Sequence, residues 1–181
     1  MNKQSGITPI NRAREKVARL TNDTEWGRKL AYWIGKAAGG FQLRLFKLST
    51  PGTIPWTPLK RPLSEATVAL VTTSGVHCRA DRPFALPSDS TYREIPRTAS
   101  NEDLCITHER YDRRDAAQDI NLIFPLERLR ELEDEGVIGH VAETSYGFGF
   151  VDNPRELLPA GRKVGSLLAN ASVDLVVLVP A

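Results

Sequence analysis

The sequence has few cysteines and no long apolar run. Only two of its 181 residues are cysteines, Cys78 and Cys105, which is too few for a disulfide framework. No apolar run reaches the roughly 18 residues that a membrane-spanning helix needs, and the first five residues lack the apolar stretch of a signal peptide. We therefore expect a cytoplasmic protein with reduced thiols and no membrane partner.

The glycine patterns of nucleotide-binding proteins are also missing. The segment Thr72-Thr-Ser-Gly-Val-His77 contains neither the Gly-Lys-Ser/Thr of a P-loop nor Gly-x-Gly-x-x-Gly. The pairs His77–Cys78 and Cys105–His108 have poor spacing for a zinc site, and no Cys-x-x-Cys pair is present. We therefore predict no metal and no cofactor bound by this chain itself.

Charge is unevenly distributed although the net charge is only +2. Residues 1–48 contain ten Lys and Arg but only three Asp and Glu, whereas the remainder is acidic. Such a basic segment suits a nucleic acid, a membrane surface or an acidic partner subunit. It equally suits a solvated helical extension without a ligand, so we do not expect a nucleic-acid partner.

Four prolines in a short stretch divide the chain. We predict a basic helical extension over residues 1–50, with helices over 9–20 and 25–48. A proline-rich linker is predicted over residues 51–64 and one α/β domain over residues 65–181.

Apolar runs and helical patterns alternate through the predicted domain. Strands are predicted over residues 67–72, 104–107, 137–142 and 173–179, helices over 125–135 and 157–169, and loops over 78–103 and 145–149. This alternation predicts an α/β fold with a mainly parallel, doubly wound sheet. Because residues 173–179 are almost wholly apolar, we predict that they form a central strand covered on both faces.

Ligands of such sheets bind beyond the carboxyl ends of the strands. Thr72, Thr73, Ser74 and Gly75 follow the first strand, and their small size lets a ligand approach the backbone closely. Their amides could hold a carboxylate. We interpret them as substrate-binding residues, with a plain strand-to-loop turn as the alternative.

Four larger polar side chains follow or face the same predicted edge. His77 and His108 are predicted as acids, bases or hydrogen-bond donors that orient a ligand, or else as residues that brace loops. Asp112 is predicted to handle protons or to cap a helix. Arg93 lies in a predicted loop, where its guanidinium suits a substrate carboxylate or a structural pair with Asp103 or Asp112.

Several short motifs occur together in a specific order. They are Thr72-Thr-Ser-Gly-Val-His77, Tyr92-Arg-Glu-Ile-Pro96, Asp103-Leu-Cys-Ile-Thr-His108, Tyr111-Asp112, Asp119-Ile-Asn121, Phe124-Pro125 and Glu135-Gly-Val-Ile-Gly139. Over about residues 55–181 they resemble the selenoprotein B family of glycine, sarcosine, betaine and D-proline reductases. Residues 1–50 carry no such resemblance.

The resemblance implies reductive cleavage of a C–N bond. In that family a pyruvoyl group on a partner subunit activates the substrate, and a selenol or thiol attacks the carbon next to nitrogen. A neighbouring thiol closes a mixed bridge, which a dithiol donor reopens. The implied partners are a small amino acid or amine substrate and a pyruvoyl-containing subunit, and a homo-oligomer is compatible with both. His77, His108 and Asp112 would be catalytic, and Arg93 would bind substrate.

The family's redox motif is expected just after Ala181. In the family, the strand similar to residues 173–179 runs through a proline into a selenocysteine or cysteine. We therefore expect a sheet truncated at its C-terminal side, in a truncated protein or one translated only to a selenocysteine codon, and expect this chain to be inactive. The alternative is a non-catalytic binding or regulatory protein of the same fold. Without further elements, the last strand is expected to expose apolar surface.

Overall fold

The computed structural model describes residues 24–27, 29 and 57–180. The chain divides into two compact units, Met1–Pro58 and Leu59–Ala181. In the first unit, residues 25–27 and 29 are helical, and the Lys29 ammonium pairs with the Glu25 carboxylate at 2.9 Å, one helical turn away. The rest of the predicted helices over 9–20 and 25–48 lies outside the described residues, as does the predicted linker up to residue 56, so the helical extension and the linker stay predictions.

The second unit contains seven strands and three α-helices in its described part. The strands are β1 (Thr67–Thr72), β2 (Val76–Cys78), β3 (Tyr92–Pro96), β4 (Leu104–Ile106), β5 (His140–Val141), β6 (Thr144–Phe148) and β7 (Leu175–Val179). The helices are α1 (Arg114–Gln118), α2 (Leu126–Asp134) and α3 (Leu158–Asn170). Single 3₁₀ turns cover Leu63–Glu65, Asn101–Asp103, Ile120–Leu122 and Pro154–Leu157.

Strand β1 is the centre of a mixed five-stranded sheet. It pairs in parallel with β5 near its start, with β6 near its end and with β7 along its other side. Strand β3 is antiparallel to β6, and β2 and β4 form a separate antiparallel pair. The α/β class is confirmed, with antiparallel strands among the parallel ones, whereas the doubly wound arrangement stays a prediction.

Each face of β1 packs against a different helix. Val68 and Leu70 belong to the same apolar cluster as Leu126 and Leu129 of α2. Ala69 belongs to a second cluster with Val164 and Leu168 of α3. Alternate residues of a strand point to opposite faces, so a continuous apolar strand is buried on both sides. Each fully buried Val or Leu contributes about 1.5–3 kcal/mol relative to an exposed one.

Two segments that we predicted as loops contain strands. The predicted loop over residues 78–103 contains β3, and the predicted turn over 145–149 contains most of β6. Gly147 suggested a turn, yet its real constraint is close packing, because a Cβ there would lie 1.9 Å from the Val76 carbonyl oxygen. Strand β3 is half polar, and only Ile95 is fully buried, so its sequence lacks a strong strand pattern.

The predicted central position of residues 173–179 is wrong. Within the described chain β7 pairs only with β1, which places it at the edge of the sheet. Leu178 is 72% exposed and Leu175 is 37% exposed, so the strand is not covered on both faces, and the expected exposure of apolar surface on this strand is confirmed. An apolar composition indicates that a strand favours burial, but it does not determine the position of that strand in the sheet.

Membrane-spanning helices need both length and apolar character. In the part of the chain that the structure describes, no helix combines the two to the degree that crossing a bilayer requires.

Candidate functional site

The carboxyl end of β1 is tied to the end of β7 by a polar turn at residues 72–75. The Thr72 hydroxyl donates to the Val179 carbonyl at 3.0 Å, and the Thr73 amide donates to the same oxygen at 3.3 Å. The Ser74 hydroxyl lies 2.7 Å from that of Thr72, and the Ser74 amide donates to it at 3.2 Å. Since the single Thr72 proton goes to Val179, the Ser74 hydroxyl is the donor within the pair.

Gly75 lets the turn cross closely over the end of β4. Its φ is +74°, and a Cβ at this position would lie 2.3 Å from the Thr107 carbonyl oxygen. Its amide donates to the Phe148 carbonyl at 3.1 Å, and its carbonyl accepts from the Thr107 amide at 2.9 Å. Only glycine adopts this left-handed backbone without strain and also has no Cβ to clash with Thr107. Through the hydrogen bonds of residues 72–75, the turn joins the ends of β1, β4, β6 and β7.

The amides of the turn are already occupied. Those of Thr73, Ser74 and Gly75 donate to protein acceptors, so they do not form the carboxylate-binding nest that the sequence suggested. Thr72 and Ser74 are 1% and 0% exposed, whereas Thr73 is half-buried. Of the two central residues of the turn, Thr73 is therefore the less buried one.

His77 lies inside β2, rather than after the end of the first strand as predicted. Its ring is 1% exposed and packs edge-on against Phe84, with the ring centroids 5.5 Å apart. Nδ1 lies 2.8 Å from the Cys78 carbonyl and Nε2 lies 2.9 Å from the Thr107 hydroxyl. With both ring nitrogens engaged, His77 braces β2 against the segment that follows β4.

His108 follows β4 and has a different set of neighbours. It is 3% exposed, and its ring packs against Tyr111 at 4.7 Å and Phe150 at 5.2 Å. Nδ1 accepts the Arg110 amide at 3.1 Å, so the proton of the neutral ring is on Nε2. Burial, and then the nearby charges of Arg113 and Arg110, lower the pKa of His108 to about 4.

Tyr111 connects His108 to the polar turn. Its hydroxyl donates to the Ser74 carbonyl at 2.9 Å, and burial raises the pKa of the phenol to about 12. The two predicted histidines therefore reach the same turn by different routes, His77 through Thr107 and His108 through Tyr111. Their predicted position at one ligand-binding edge of the sheet stays a prediction. The sequence reasoning missed the linking roles of Tyr111 and Thr107, although both lie inside the quoted motifs.

Arg93 is held within the protein. It lies in β3 and donates to the Arg82 carbonyl at 3.0 Å, the Thr91 hydroxyl at 2.7 Å and the Tyr92 carbonyl at 2.9 Å. Its guanidinium carbon lies 4.4 Å from the centre of the Phe84 ring. Its acidic neighbour is Asp89, at 3.9 Å, so the predicted structural pairs with Asp103 or Asp112 are wrong.

Asp112 pairs with Arg114 at the start of α1. The carboxylate accepts from Nε at 3.0 Å and from the terminal nitrogen at 2.9 Å. It also accepts the Arg114 amide at 3.2 Å, as an aspartate at the beginning of a helix commonly does. Asp112 precedes the N-cap residue of α1, which is Arg113, so it braces the start of the helix without being its cap, and its proton-handling role stays a prediction.

Both cysteines are free and half-buried. Burial is the main cause that raises the pKa of the Cys78 thiol and of the Cys105 thiol. The Cys105 sulfur lies 3.5 Å from the ring nitrogens of His77, yet no third ligand joins them, and the described residues contain no cluster suited to a metal ion. Neither thiol carries a thiolate at neutral pH.

A groove of about 470 Å³ lies at the other end of the sheet. None of the predicted site residues lines it; its walls include Glu94 and Tyr146, which the sequence reasoning left without a role. The alternation of β3 and β6 could have indicated these two residues, but both strands were predicted as loops.

Known proteins similar to this chain are reductase subunits. The D-proline reductase subunit gamma of Acetoanaerobium sticklandii is 38% identical over 141 residues, which cover 77% of this chain and 58% of that protein. The glycine reductase complex component B subunit gamma of Carboxydothermus hydrogenoformans is 30% identical, over 69% of this chain and 30% of that protein. The sarcosine reductase complex component B subunit beta of Peptoclostridium acidaminophilum is 36% identical over 49% of this chain and 22% of its own length.

No solved structure matches the chain. The chain spans 58% of the D-proline reductase subunit and less of the other two relatives. The family model for glycine/sarcosine/betaine reductase selenoprotein B matches residues 41–181, which is most of the chain and contains the polar turn, both buried histidines and Tyr111. The chain therefore belongs to the glycine/sarcosine/betaine reductase selenoprotein B family.

Proposed function

We propose that this chain is the substrate-side part of a selenoprotein B-type reductase complex. The reaction would be reductive cleavage of a C–N bond in a small amino acid or amine, with a dithiol as electron donor. The names of the relatives as subunits of D-proline, sarcosine and glycine reductases support this assignment. The partner would be another subunit of the same complex, in the cytoplasm.

One observation carries the proposal: two hydrogen bonds from Thr72 and Thr73 to the Val179 carbonyl hold the end of β7 beside the polar turn. By the resemblance, the family's redox residue follows the strand similar to β7. A residue in that position would therefore emerge next to Thr73. When present, it would supply the nucleophile, and a pyruvoyl group on a partner subunit would activate the amine.

The contacts divide the predicted site residues into two roles. Thr73 has exposed surface, and Nε2–H of His108 has no hydrogen-bond partner in the described chain, so these two groups can orient a substrate. Thr72 holds the end of β7, Ser74 donates to the Thr72 hydroxyl, and Gly75 links the turn to β6 and to the end of β4.

His77, Arg93 and Asp112 support the site from a distance. His77 positions Thr107, Arg93 holds the segment before β3 and Asp112 accepts the amide of Arg114, the first residue of α1. Because His108 has a pKa of about 4, it is neutral at physiological pH and acts as a hydrogen-bond donor rather than as a general acid.

The decisive experiment compares two forms of the protein. The 181-residue chain and a form extended by the codons that follow Ala181 would each be mixed with the partner subunit and dithiothreitol. D-proline, sarcosine, glycine and betaine would be tested as substrates. We expect product only from an extended form in which a selenocysteine or cysteine follows the end of β7. Turnover by the 181-residue chain alone would refute the proposed role of the following residue.

A non-catalytic binding or regulatory role is the second candidate. The observation that favours it is the raised pKa of both half-buried thiols, which disfavours the thiolate form that a redox nucleophile needs. An ordinary stop codon after Ala181 followed by unrelated sequence, together with substrate binding without turnover, would support this alternative over the reductase.

A further inference from the structure

The groove at the amino end of the sheet has no role in the proposed reaction. The first residues of β1, β5 and β6 line it, as does the last turn of α3, so it opens at the end of β1 opposite to the 72–75 turn. Its volume of about 470 Å³ lies within the range of roughly 300–1,000 Å³ that is typical of small-molecule sites.

Two carboxylates line the groove, and they differ in their partners. Glu143 lies 3.7 Å from the Arg97 guanidinium and 3.3 Å from Nε2 of His140. Glu94 makes no ion pair and no hydrogen bond in the described chain, and its side chain is exposed. Glu94 is therefore the carboxylate whose charge a ligand could neutralise.

Tyr146 supplies a second group without a partner. It lies directly opposite Glu94 in the ladder between β3 and β6, and it lines the groove. The residue is only 4% exposed, yet its hydroxyl forms no hydrogen bond with any other described residue. Among the described residues, the fully buried side-chain oxygens that lack a partner belong to Asn101 and Asn121, so the Tyr146 hydroxyl keeps some accessible surface and can be reached from the groove. Burial and then the Glu94 charge raise the pKa of this phenol, so it keeps its proton.

The apolar part of the groove comes from α3. Leu167 and Leu168 line it near the end of the helix, and Leu168 is 8% exposed. The groove thus joins a carboxylate, a tyrosine hydroxyl and an aliphatic surface. Sites for small ligands commonly combine an apolar wall with a few polar groups that fix orientation.

We propose that this groove binds a small organic cation, with an ammonium or guanidinium group between Glu94 and the Tyr146 hydroxyl. A short aliphatic chain on the cation packs against Leu167 and Leu168. The ligand is a simple cation rather than a zwitterionic amino acid, because a ligand carboxylate would meet Glu94 and Glu143. The site is therefore separate from the reaction site proposed at the polar turn.

The test is a titration of the 181-residue chain with n-butylammonium chloride, followed by amide chemical shifts in NMR spectra. Sodium butyrate, 1-butanol and betaine are the matched anionic, neutral and zwitterionic probes. We expect saturable shifts only with butylammonium, centred on Glu94, Thr144 and Tyr146. Equal shifts with 1-butanol would mean unspecific apolar binding and overturn the proposal, as would saturable binding of betaine at the same residues.

Two substitutions identify the groups that bind the cation. Because the Glu94 pair is partly exposed, Glu94→Gln should weaken butylammonium binding about fivefold. Tyr146→Phe, which keeps the ring, should weaken it about threefold. Glu156→Gln, an exposed glutamate outside the groove, is the control and should leave the Kd unchanged. An unchanged Kd in Glu94→Gln would refute the site, since a substitution at this exposed position leaves the core intact.

Discussion

The polar side chains at the two ends of strand β1 differ in whether they have hydrogen-bond partners within the protein. At the carboxyl end, Thr72 and Ser74 are buried and hydrogen-bonded to each other, and Thr72 also donates to the Val179 carbonyl. At the amino end, Glu94 and the Tyr146 hydroxyl line an open groove without partners in the described chain. Polar groups that are fully paired stabilise a fold, whereas unpaired ones remain available to a ligand.

The comparison changes how the predicted site is understood. The rule that ligands bind beyond the carboxyl ends of strands drew attention to the 72–75 turn. In the structure, the turn mainly holds the end of β7, and its amides have no capacity left for a carboxylate. The strand end that it holds is therefore more informative about the reaction than the turn itself.

The largest effect is expected from Gly147→Ala. The Cβ of the new alanine would lie 1.9 Å from the Val76 carbonyl oxygen. Because that oxygen belongs to the backbone, relieving the clash requires a shift of β2 relative to β6. We expect a loss of about 3–5 kcal/mol in the free energy of unfolding, measured by urea denaturation. Gly161→Ala in α3 is the control, because a Cβ there meets nothing within 4 Å. It should stabilise the protein by about 0.5–1 kcal/mol. A mild effect of Gly147→Ala would contradict the close packing of β2 on β6.

Thr72→Val should have the next largest effect. It keeps the shape of the side chain but removes the hydroxyl that donates to Val179 and accepts from Ser74. Buried groups left unpaired should lower the free energy of unfolding by about 1–3 kcal/mol.

Thr144→Val is the matched change at the other end of the sheet. The Thr144 hydroxyl forms no hydrogen bond in the described chain, so the effect should stay within about 0.5 kcal/mol. Equal losses in the two variants, again measured in urea, would remove the difference between the two ends.

The pH dependence of stability should reveal the burial of His108. Its pKa is about 4 in the folded protein, against an ordinary value of 6.5 in the unfolded chain, so the unfolded chain binds more protons between these values. The stabilisation is complete above about pH 6.5 and is lost as the pH falls towards 4. We expect His108→Gln to have a flatter profile than the wild type, by about 1–3 kcal/mol over this range. Parallel profiles would show that His108 is not buried as a neutral ring.

Glu94→Gln should have the smallest effect on stability. Because Glu94 is exposed and has no partner in the described chain, the free energy of unfolding of the variant should differ from that of the wild type by less than about 0.5 kcal/mol in urea denaturation. A large loss would mean that Glu94 stabilises the fold, and the amino end would then resemble the carboxyl end.

Strong local patterns predicted their elements well. The apolar run of β1 has the predicted bounds, and α2 and α3 lie within one or two residues of the predicted helices. A continuous apolar run or a regular helical stripe is visible in neighbouring residues, because each residue reports its own burial. The α/β class and the family resemblance followed from the same kind of local information.

Short strands and their pairing could not be predicted in this way. Strands β3 and β6 are half polar or rich in small residues, and their hydrogen bonds join segments about 50 residues apart in the sequence. The edge position of β7 and the engaged guanidinium of Arg93 depend likewise on distant segments. No local pattern reports such contacts.

By itself, the sequence determined the class of the fold, its main helices and central strand, and the family to which the chain belongs. Only the tertiary structure decided which polar groups are hydrogen-bonded within the protein and which face a groove without a partner in the described chain. Thr72 and Glu94 each belong to a quoted motif, yet one is buried in a closed network and the other faces a groove. The difference arises because hydrogen-bond partners come from distant strands, which only the folded chain brings together.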